Sequence, residues 1–381
     1  MSLKDSRVRL LLVGAGHAHL EVLRCQALHP HPKIDLTLVS LAERHHYSGM
    51  VPGYLQGQYE EREITFDLPG LATWAGGRFI QARATALDPK AGPKAGEIHL
   101  EGGGVLGYDL VSFNVGSRTA GDEDEAVRRN AALVKPMSRA ADLRRRLKEL
   151  AGKPGNDHRA VVVGGGAAGV EIACAITALL DRAGCGHQVT VLEGSDAILS
   201  EYSERFRRRA AAVLARKEIA TRTGVRVEKV EPDAVHLQDG SRQKSDLTVW
   251  LTGAAAWPLF GQSGLPVDEK GFLLVDDALR STADPRVFGA GDCVTLERYP
   301  GTPKAGVYAV REAPVLWQSL LAAIEGGKPP RYEPQRSFLS LLNTGDGKAL
   351  LRYKGLIAHS RWAWILKDRI DRGFMARYQP P

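Results

Sequence analysis

The sequence is poor in cysteine, and none of its cysteines is paired along the chain. Four cysteines occur among 381 residues, at positions 25, 174, 185 and 293. None of them forms a C-x-x-C motif or has the spacing of a metal site, so neither a redox-active disulfide nor a cysteine-ligated metal is expected. The cysteines suit a reducing compartment, and those in predicted helices are expected to be buried as small hydrophobic residues.

The sequence also lacks long hydrophobic runs and a stripe of one charge. No apolar run reaches the length of a membrane-spanning helix, and the N-terminal MSLKDSR has neither the apolar core nor the cleavage site of a signal peptide. The net charge is +7, but lysine and arginine are spread widely, which argues against a nucleic-acid partner. We therefore expect a cytoplasmic protein.

One segment, residues 127–150, departs from this even distribution of charge. Its sequence, VRRNAALVKPMSRAADLRRRLKEL, places several Arg and Lys residues on a predicted helix. Such a cluster is typical of a solvated helix face, and the alternative is a contact with an acidic partner.

A glycine-rich loop follows the first apolar strand, in VRLLLVGAGHAHLEVLRCQAL. Gly14 permits a tight turn, and Gly16 lets backbone amides approach a pyrophosphate at the start of the following helix, beside His17 and Ala18. The third glycine of the G-x-G-x-x-G motif is replaced by His19, so we expect this helix to sit differently or to turn a side chain outward.

The next strand, in KIDLTLVSLAE, ends in Ser40 where such folds usually carry an acid. A serine hydroxyl can make a neutral hydrogen bond to a ribose, so Ser40 is a candidate ligand. The histidine pairs at 17/19 and 45/46 lack cysteine or acidic companions, and we expect them to pack around the nucleotide rather than to bind a metal.

A second loop, in RAVVVGGGAAGVEIACAITALL, carries all three glycines of the motif, Gly164, Gly166 and Gly169. The strand after its helix ends in Glu193, 24 residues beyond Gly169. An acid at this place binds the adenosine ribose diol and repels a 2′-phosphate. The pattern therefore favours NADH over NADPH.

Later sequence completes the domain of the first loop. Two strand-to-glycine crossings, which contain Gly116 and Gly253, lie at the borders of the second unit. A further strand ends in Gly291-Asp292, where the aspartate can accept hydrogen bonds from the ribityl chain of FAD, and a helix that begins near Ala305 can direct its free amides to the flavin.

The chain is 44% hydrophobic and 25% charged, which is typical of a globular protein of two to three domains. We predict an α/β fold with two Rossmann-like dinucleotide-binding domains and a small C-terminal α+β region with an amphipathic helix. The boundaries are residues 1–122 and 253–325 for a discontinuous FAD domain, 123–252 for an inserted NADH domain, and 326–381 for the C-terminal region.

With these motifs assembled, the chain resembles the two-dinucleotide-binding flavoproteins and, among them, the type II NADH dehydrogenases. GAGHAHLEVL, GGGAAGVEIA, LTGAAAWPL and FGAGDC carry this resemblance. YSGMVPGYLQGQY, KAGVYAVREAPVL and RWAWILKDRIDRGFM are similar to the flavoprotein module found fused to selenide, water dikinase. The resemblance implies FAD and NADH as cofactors.

The resemblance also implies roles for individual residues. It places Glu171 near the nicotinamide and the flavin, and it places Lys304, Ala305, Gly306 and Val307 along the flavin ring and the acceptor pocket. The type II enzymes carry a Gln-containing signature in this helix. Here the helix reads Tyr-Ala-Val-Arg-Glu over residues 308–312, which puts quinone as the acceptor in doubt.

The segment YSGMVPGY occupies the region where disulfide reductases carry their cysteine pair. Tyr47, Met50 and Pro52 are suited to form a floor for the flavin, and the alternative is a loop that only covers the first helix. Without a cysteine pair, electrons are expected to pass directly from NADH through the flavin to a quinone or another small acceptor. Glu171 would orient the nicotinamide, or it is simply a satisfied helix residue near the phosphate loop.

Two other functions stay open from the sequence. The first is reduction of a selenium or sulfur compound, with Cys293 as the thiol nearest the flavin motif. The second is a redox-responsive FAD- and NAD-binding regulatory protein.

In the tail, TGDGK is predicted as a turn between strands, and a helix with basic and aromatic residues follows. That helix could lie on the inner face of a membrane, or it packs on the body of the protein or on a second subunit.

Overall fold

The computed structural model describes residues 7–89, 95–153 and 157–380, and its two largest sheets consist of parallel strands. The first sheet has the strand order Val287–Gly289, Leu110–Phe113, Val8–Val13, Ile34–Ser40 and Arg78–Gln81. The second sheet has the order Ala131–Leu133, Leu247–Trp250, His158–Val163, His187–Leu192 and Ala220–Arg222. The central strand of each sheet leads into one of the two glycine-rich loops.

Apolar sequence determines these central strands. In Val8–Val13 the last four residues are buried, and the last four residues of His158–Val163 are buried as well. Continuous apolar runs of this kind are typical of parallel strands that are covered on both faces. Helices provide that cover, and they extend over His17–Leu28, Val51–Leu55, Leu68–Trp74, Glu125–Asn130, Ala140–Ala151, Ala167–Arg182, Glu204–Arg216, Leu259–Gln262, Gly306–Glu325 and Arg361–Arg377.

Smaller sheets and short turns complete the architecture. Three-stranded antiparallel sheets are formed by Ala84–Asp88, Gly96–Leu100 and Val105–Tyr108, and by Val227–Glu231, Ala234–Leu237 and Arg242–Lys244. Two-stranded sheets pair Arg44–His46 with Thr65–Asp67, Arg118–Thr119 with Ala254–Ala255, and Leu273–Val275 with Val294–Leu296. Single 3-10 turns occupy Ser48–Met50, Glu61–Glu63, Met137–Arg139 and Gly291–Cys293.

The C-terminal region is a three-stranded antiparallel sheet followed by a helix. Its strands are Ser340–Asn343, Ala349–Tyr353 and Leu356–Ser360, and TGDGK connects the first two, as predicted. The hydroxyl of Ser360 accepts a hydrogen bond from the amide of Ala363 and so caps the helix Arg361–Arg377.

The basic segment 127–150 differs from its prediction as one helix. It contains the end of one helix, then the strand Ala131–Leu133, and then the helix Ala140–Ala151. The apolar AALV stretch interrupts the helix because it pairs with Leu247–Trp250 at the edge of the second sheet. In the second helix Arg145 forms ion pairs with Asp142 and Glu149, so part of its charge is compensated locally.

Within the described residues, no helix is both long enough and apolar enough to cross a membrane. The two parallel sheets and the C-terminal sheet agree with the predicted α/β class. The domain boundaries given above stay a prediction.

Candidate active site

A cavity of about 2190 Å³ opens at the carboxyl ends of the strands of the second sheet. It exceeds the roughly 300–1,000 Å³ of an ordinary small-molecule pocket, so it has room for more than one molecule. Eleven of the predicted site residues line it: Pro52, Gly164, Gly166, Gly169, Glu171, Glu193, Gly253, Asp292, Lys304, Ala305 and Gly306. Ten lie outside its wall: Gly14, Gly16, His17, Ala18, Ser40, Tyr47, Met50, Gly116, Gly291 and Val307.

In the second glycine loop, two positions have no room for a side chain because other backbone atoms lie very close to them. Gly164 has a φ of +112°, and a Cβ there would overlap the carbonyl of Leu251. A Cβ on Gly169 would overlap the carbonyl oxygen of Gly164, so both positions require glycine. The helix Ala167–Arg182 begins at the cavity wall, and its first amides are available to a pyrophosphate.

Glu193 follows the strand His187–Leu192 of the same sheet and lies next to the second loop. Its carboxylate accepts hydrogen bonds from the amides of Gly165, at 2.6 Å, and Ser195, at 2.8 Å, and from the Ser195 hydroxyl. Partial burial raises the pKa of Glu193, but these hydrogen bonds outweigh it and the net pKa lies below the ordinary value. The group is therefore ionised at neutral pH, as recognition of a ribose diol requires.

His19 in the first loop has an inward side chain, so the second of its two predicted alternatives does not apply. Its side chain is fully buried, with Nδ1 2.6 Å from the carbonyl oxygen of Gly14 and Nε2 2.8 Å from the hydroxyl of Ser112. Burial lowers the pKa of His19 to about 4, so the ring is neutral. Both ring nitrogens find partners in the space between the loop and the strand Leu110–Phe113, and the other alternative, a different position of the helix, stays a prediction.

Asn114 was missed by the sequence reasoning. Its Oδ1 accepts hydrogen bonds from the amides of Ala18 and His19, at 3.0 and 3.3 Å, and its Nδ2 donates to the carbonyl of Ala290 at 2.6 Å. A Cβ on Gly16 would overlap this side chain. Asn114 thus ties the first loop to the turn that carries Asp292. A polar residue directly after the buried strand of YDLVSFNVGS was the available signal.

Asp292 lies in that turn at the cavity wall. Its carboxylate is 3.1 Å from the ammonium of Lys135 and accepts a 3.4 Å hydrogen bond from Ser117. Behind it, Glu312 is 2% exposed and accepts the amide of Gly291 at 2.5 Å. Burial raises the pKa of Glu312 to about 7. Lys135 and Glu312 therefore hold the turn from two sides, and neither was predicted.

Lys304 approaches the same wall from the linker before the helix Gly306–Glu325. Its ammonium donates to the hydroxyl of Thr295 at 2.9 Å and to the carbonyl of Val294, and it lies 4.1 Å from the centroid of the Phe272 ring. Burial lowers the pKa of Lys304. The helix starts at Gly306 with Ala305 as its N-cap, so its free amides face the cavity close to the predicted position.

The segment predicted as a flavin floor is covered by the C-terminal helix. Tyr47 stacks on Phe374 with ring centroids 4.6 Å apart and donates to Asp371 at 3.1 Å. Met50 is 1% exposed. His17 lies 5.6 Å from the Tyr47 ring, and burial lowers its pKa to about 4. Over the described residues, no group of three or more His, Cys, Asp or Glu side chains could hold a metal.

Glu171 faces the cavity and meets the C-terminal region. Its Oε1 accepts the amide of Asn343 at 2.7 Å, and burial raises its pKa to about 7 although the nearby charge of Lys367 lowers it. Lys367 is 8% exposed and donates to the carbonyl of Gly49 at 2.7 Å and to Asp371 at 2.8 Å. The sequence placed Glu171 near the nicotinamide and the flavin, with a satisfied helix residue near the phosphate loop as the alternative, and its role stays a prediction. Asn343, Lys367 and Asp371 were missed.

None of the four cysteines, all in the described residues, lines the cavity. Cys293 is 1% exposed, with its sulfur 3.3 Å from the carbonyl of Ala290, and burial raises its pKa to about 12. A thiol in this environment is unreactive. Cys174 is buried as predicted, and Cys25 is half-buried.

The residues present fit dinucleotides. The second loop offers glycine at each close approach, helix amides free for a diphosphate, and an ionised acid for a ribose. Around the first loop, Asp292 and the amides of the helix that begins at Gly306 can serve the ribityl chain and the flavin edge.

Comparison with known proteins shows that most of the chain is similar to known oxidoreductases. A family model described as pyridine nucleotide-disulphide oxidoreductase matches residues 8–313. A Dictyostelium discoideum protein named probable NADH dehydrogenase is 27% identical over 332 residues, which cover 80% of this chain and 73% of the relative. The Arabidopsis thaliana alternative NAD(P)H-ubiquinone oxidoreductase C1 is 27% identical over 396 residues, which cover 93% and 74%.

Among solved structures, NDH2 of Plasmodium falciparum in complex with NADH superposes with a TM-score of 0.82. The match covers 97% of each chain at 15% identity, a level that shows the fold alone. The predicted α/β fold with two dinucleotide-binding domains is confirmed.

Proposed function

The chain belongs to the pyridine nucleotide-disulphide oxidoreductase family, and from this premise we propose that it oxidises NADH and delivers the electrons to a quinone or another small oxidant. FAD and NADH are its cofactors. One observation carries the proposal: a single cavity wall joins the second glycine loop, Glu193, Glu171 and the start of the helix Gly306–Glu325. No cysteine belongs to the described part of this wall, so the route we propose has no disulfide.

Each part of the wall has a task in this proposal. The amides at the start of Ala167–Arg182 hold the diphosphate of NADH, and Glu193 holds its adenosine ribose. Glu171 orients the nicotinamide carboxamide, which positions the reacting carbon. FAD, when bound, supplies the centre that accepts the hydride and releases the electrons. Asp292, in the turn that Lys135 and Glu312 hold, binds the ribityl chain.

A quinone acceptor is supported by the names of relatives, including the ubiquinone oxidoreductase of Arabidopsis thaliana. The rival proposal of a selenium or sulfur reductase that uses Cys293 has little support, since that thiol is buried with a pKa near 12. The redox-responsive regulatory function stays a hypothesis.

We further propose a peripheral contact of the C-terminal helix with the inner face of a membrane. One face of the helix is buried against the body through Ala363, Lys367, Asp371 and Met375. On the other face Trp362, Ile365 and Ile370 are 50%, 52% and 44% exposed, among exposed arginines. A helix of this composition suits a membrane interface, and a homodimer contact is the alternative use of the same face.

An anaerobic titration of the purified yellow protein tests the function. We expect NADH to bleach the flavin absorbance rapidly and NADPH to do so poorly. Glu193→Ala removes hydrogen bonds from a charged group, which are worth roughly 1.5–3 kcal/mol, so the apparent Kd for NADH should rise about tenfold to a hundredfold. The matched control is Glu204→Ala, an exposed glutamate of the same domain. An absence of flavin, or an unchanged NADH affinity in Glu193→Ala, would contradict these assignments.

A further inference from the structure

Part of the cavity wall has no role in the function proposed so far. Here two arginines and three aromatic rings face the same space, and together we name them the arginine lobe: Tyr202, Tyr308, Arg336, Phe338 and Arg352. Arg336, Phe338 and Arg352 come from the C-terminal region, so neither parallel sheet supplies them.

The rings and one guanidinium group of the lobe contact one another. The guanidinium carbon of Arg352 lies 5.4 Å from the centroid of the Tyr202 ring, and the Tyr202 hydroxyl is 2.9 Å from the hydroxyl of Ser340. Tyr308 and Phe338 meet edge to face, with centroids 5.9 Å apart. Flat side chains and guanidinium planes in this arrangement favour a flat aromatic ligand.

The charge of the lobe is not neutralised by its own ion pairs. Across residues 7–89, 95–153 and 157–380, neither Arg336 nor Arg352 pairs with a carboxylate within 4 Å. Glu201 also lines the cavity near Tyr308 and lowers the net positive charge. Glu171 lines the same cavity, and because burial raises its pKa to about 7 it carries only part of a charge near neutral pH. The two guanidinium groups therefore still leave the lobe cationic, so it is suited to an anionic group.

The lobe lies beside the helix start that was assigned to the flavin edge. Tyr308 is in the first turn of the helix Gly306–Glu325, next to the amides assigned to the flavin edge. Burial raises the pKa of Tyr202, and the charge of Glu171 raises it further. The lobe therefore borders Glu171 on one side and Gly306 on the other. NADH already has its diphosphate and ribose partners in the second loop and Glu193, so the arginines are free for a second reactant.

We propose that the arginine lobe binds the electron acceptor, and that this acceptor is a planar conjugated oxidant, such as a quinone, that carries an anionic group. The inference rests on the proposed NADH oxidation. In the overall reaction NADH becomes NAD⁺, and the quinone gains two electrons and two protons. One of these hydrogens derives from the transferred hydride and the other is a proton from solvent.

Two naphthoquinones that differ in charge test the proposal with the FAD-loaded protein. The probes are neutral 2-methyl-1,4-naphthoquinone and anionic 1,4-naphthoquinone-2-sulfonate, each with NADH. We expect kcat/KM to be higher for the sulfonate. Arg352→Met and Arg336→Met should each reduce the ratio of the two kcat/KM values about tenfold to a hundredfold, since each removes a hydrogen-bonded charge. Arg331→Met, which lies in the same segment but faces Asp277, should leave the ratio unchanged.

Two further variants test whether the planar guanidinium group and the nearby carboxylate determine the ratio. Arg352→Lys keeps the charge but loses the planar fork, so its ratio should lie between those of the parent and of Arg352→Met. Glu201→Gln removes the opposing carboxylate and should raise the ratio a few-fold. To separate an effect on binding from an effect on folding, the FAD content and circular dichroism of Arg352→Met are compared with those of the parent.

A binding measurement without turnover completes the test. Naphthalene-2-sulfonate cannot accept electrons, and calorimetry should give a Kd that rises about tenfold or more in Arg352→Met and with added salt. Equal ratios in all variants, or a rise in the KM for NADH alone, would overturn the acceptor site while leaving NADH oxidation intact. Failure of NADH to bleach the flavin would instead overturn the proposed NADH oxidation, on which the acceptor site rests.

Discussion

Two carboxylates, the half-buried Glu171 and the buried Glu312, stand on helices that begin at the cavity, and removal from bulk water raises the pKa of each to about 7. Each accepts one backbone amide, from Asn343 and Gly291 respectively. Groups with such pKa values change charge near neutral pH. The electrostatic environment at both helix starts is therefore sensitive to pH.

For Glu312 this sensitivity gives a prediction about stability. Its folded-state pKa of about 7 lies above the ordinary 4.5, so between these values the folded protein binds more protons than the unfolded chain. The stabilisation is complete below pH 4.5 and is lost as the pH rises through 7. Lys304 and Asp292 are the charged groups that face it. Glu312→Gln keeps an acceptor for Gly291, so it should remove this dependence, worth about 3 kcal/mol at most.

Urea unfolding at pH 5 and pH 8 measures the effect. The loss of unfolding free energy between the two pH values should be smaller in Glu312→Gln than in the parent. Glu297→Gln, at an exposed glutamate, serves as the control and should match the parent. Equal pH dependence in both variants would mean that Glu312 does not titrate in this range.

Single residues could be predicted as candidates where their neighbours lie close along the chain, and their binding roles stay predictions. Glu193 and the glycines of the second loop follow from spacing along one strand–turn–helix unit. Asn114, Glu312 and Lys367 could not be found in this way because their partners lie far along the chain, as Gly49 does from Lys367. The inward position of His19 could not be predicted, since its partner Ser112 lies in an otherwise apolar strand 93 residues along the chain.

At the scale of elements, the C-terminal helix packs on the segment around residues 47–52, which was predicted as a floor for the flavin. We call the contacts of Lys367, Asp371 and Phe374 with this segment the clasp. Lys367 bonds to Gly49, Asp371 accepts from Tyr47, and Phe374 stacks on the same tyrosine. The helix was predicted from its composition, and its turn and strands were predicted from TGDGK. Its docking position could not be predicted, because an amphipathic pattern does not reveal which surface the buried face will meet.

Removing the cation of this clasp should destabilise the protein. Lys367→Met leaves Asp371 buried without its ion-pair partner, which costs roughly 3–5 kcal/mol. We expect a lower thermal midpoint and faster tryptic cleavage of the C-terminal helix. Arg369→Met, at an exposed site of the same helix, should behave as the parent. The double variant Lys367→Met/Asp371→Leu should recover much of the loss, and a Lys367→Met protein as stable as the parent would refute the clasp.

At the scale of the whole molecule, two parallel sheets and a C-terminal sheet surround one cavity. Because each dinucleotide unit repeats the same sequence pattern, the sequence predicts the α/β class and the order of units. It does not predict that residues 336–352 complete the cavity wall, since that closure depends on how distant segments meet. The fold was therefore more predictable from the sequence than the arginine lobe.

The net charge of +7 and the exposed face of the C-terminal helix together predict preference for anionic bilayers. We expect the protein to sediment with vesicles that contain phosphatidylglycerol and to remain free with phosphatidylcholine alone. Trp362→Ser/Ile365→Ser should weaken partitioning by at least about tenfold, from the apolar area lost. Leu28→Ser changes an exposed leucine elsewhere and is the control. If the parent and both variants partition equally, the result would favour the alternative that this helix face contacts a second subunit.

The hydrogen bond from Asn343 to Glu171 has a consequence for biosynthesis. The loop at residue 164 leaves the ribosome long before the strand that supplies Asn343, and domains generally fold in the order of their synthesis. We therefore expect the second loop to be in place before Asn343 and the lobe residues Arg336, Phe338 and Arg352 are synthesised. Under the proposed roles, binding of the coenzyme would precede discrimination among oxidants.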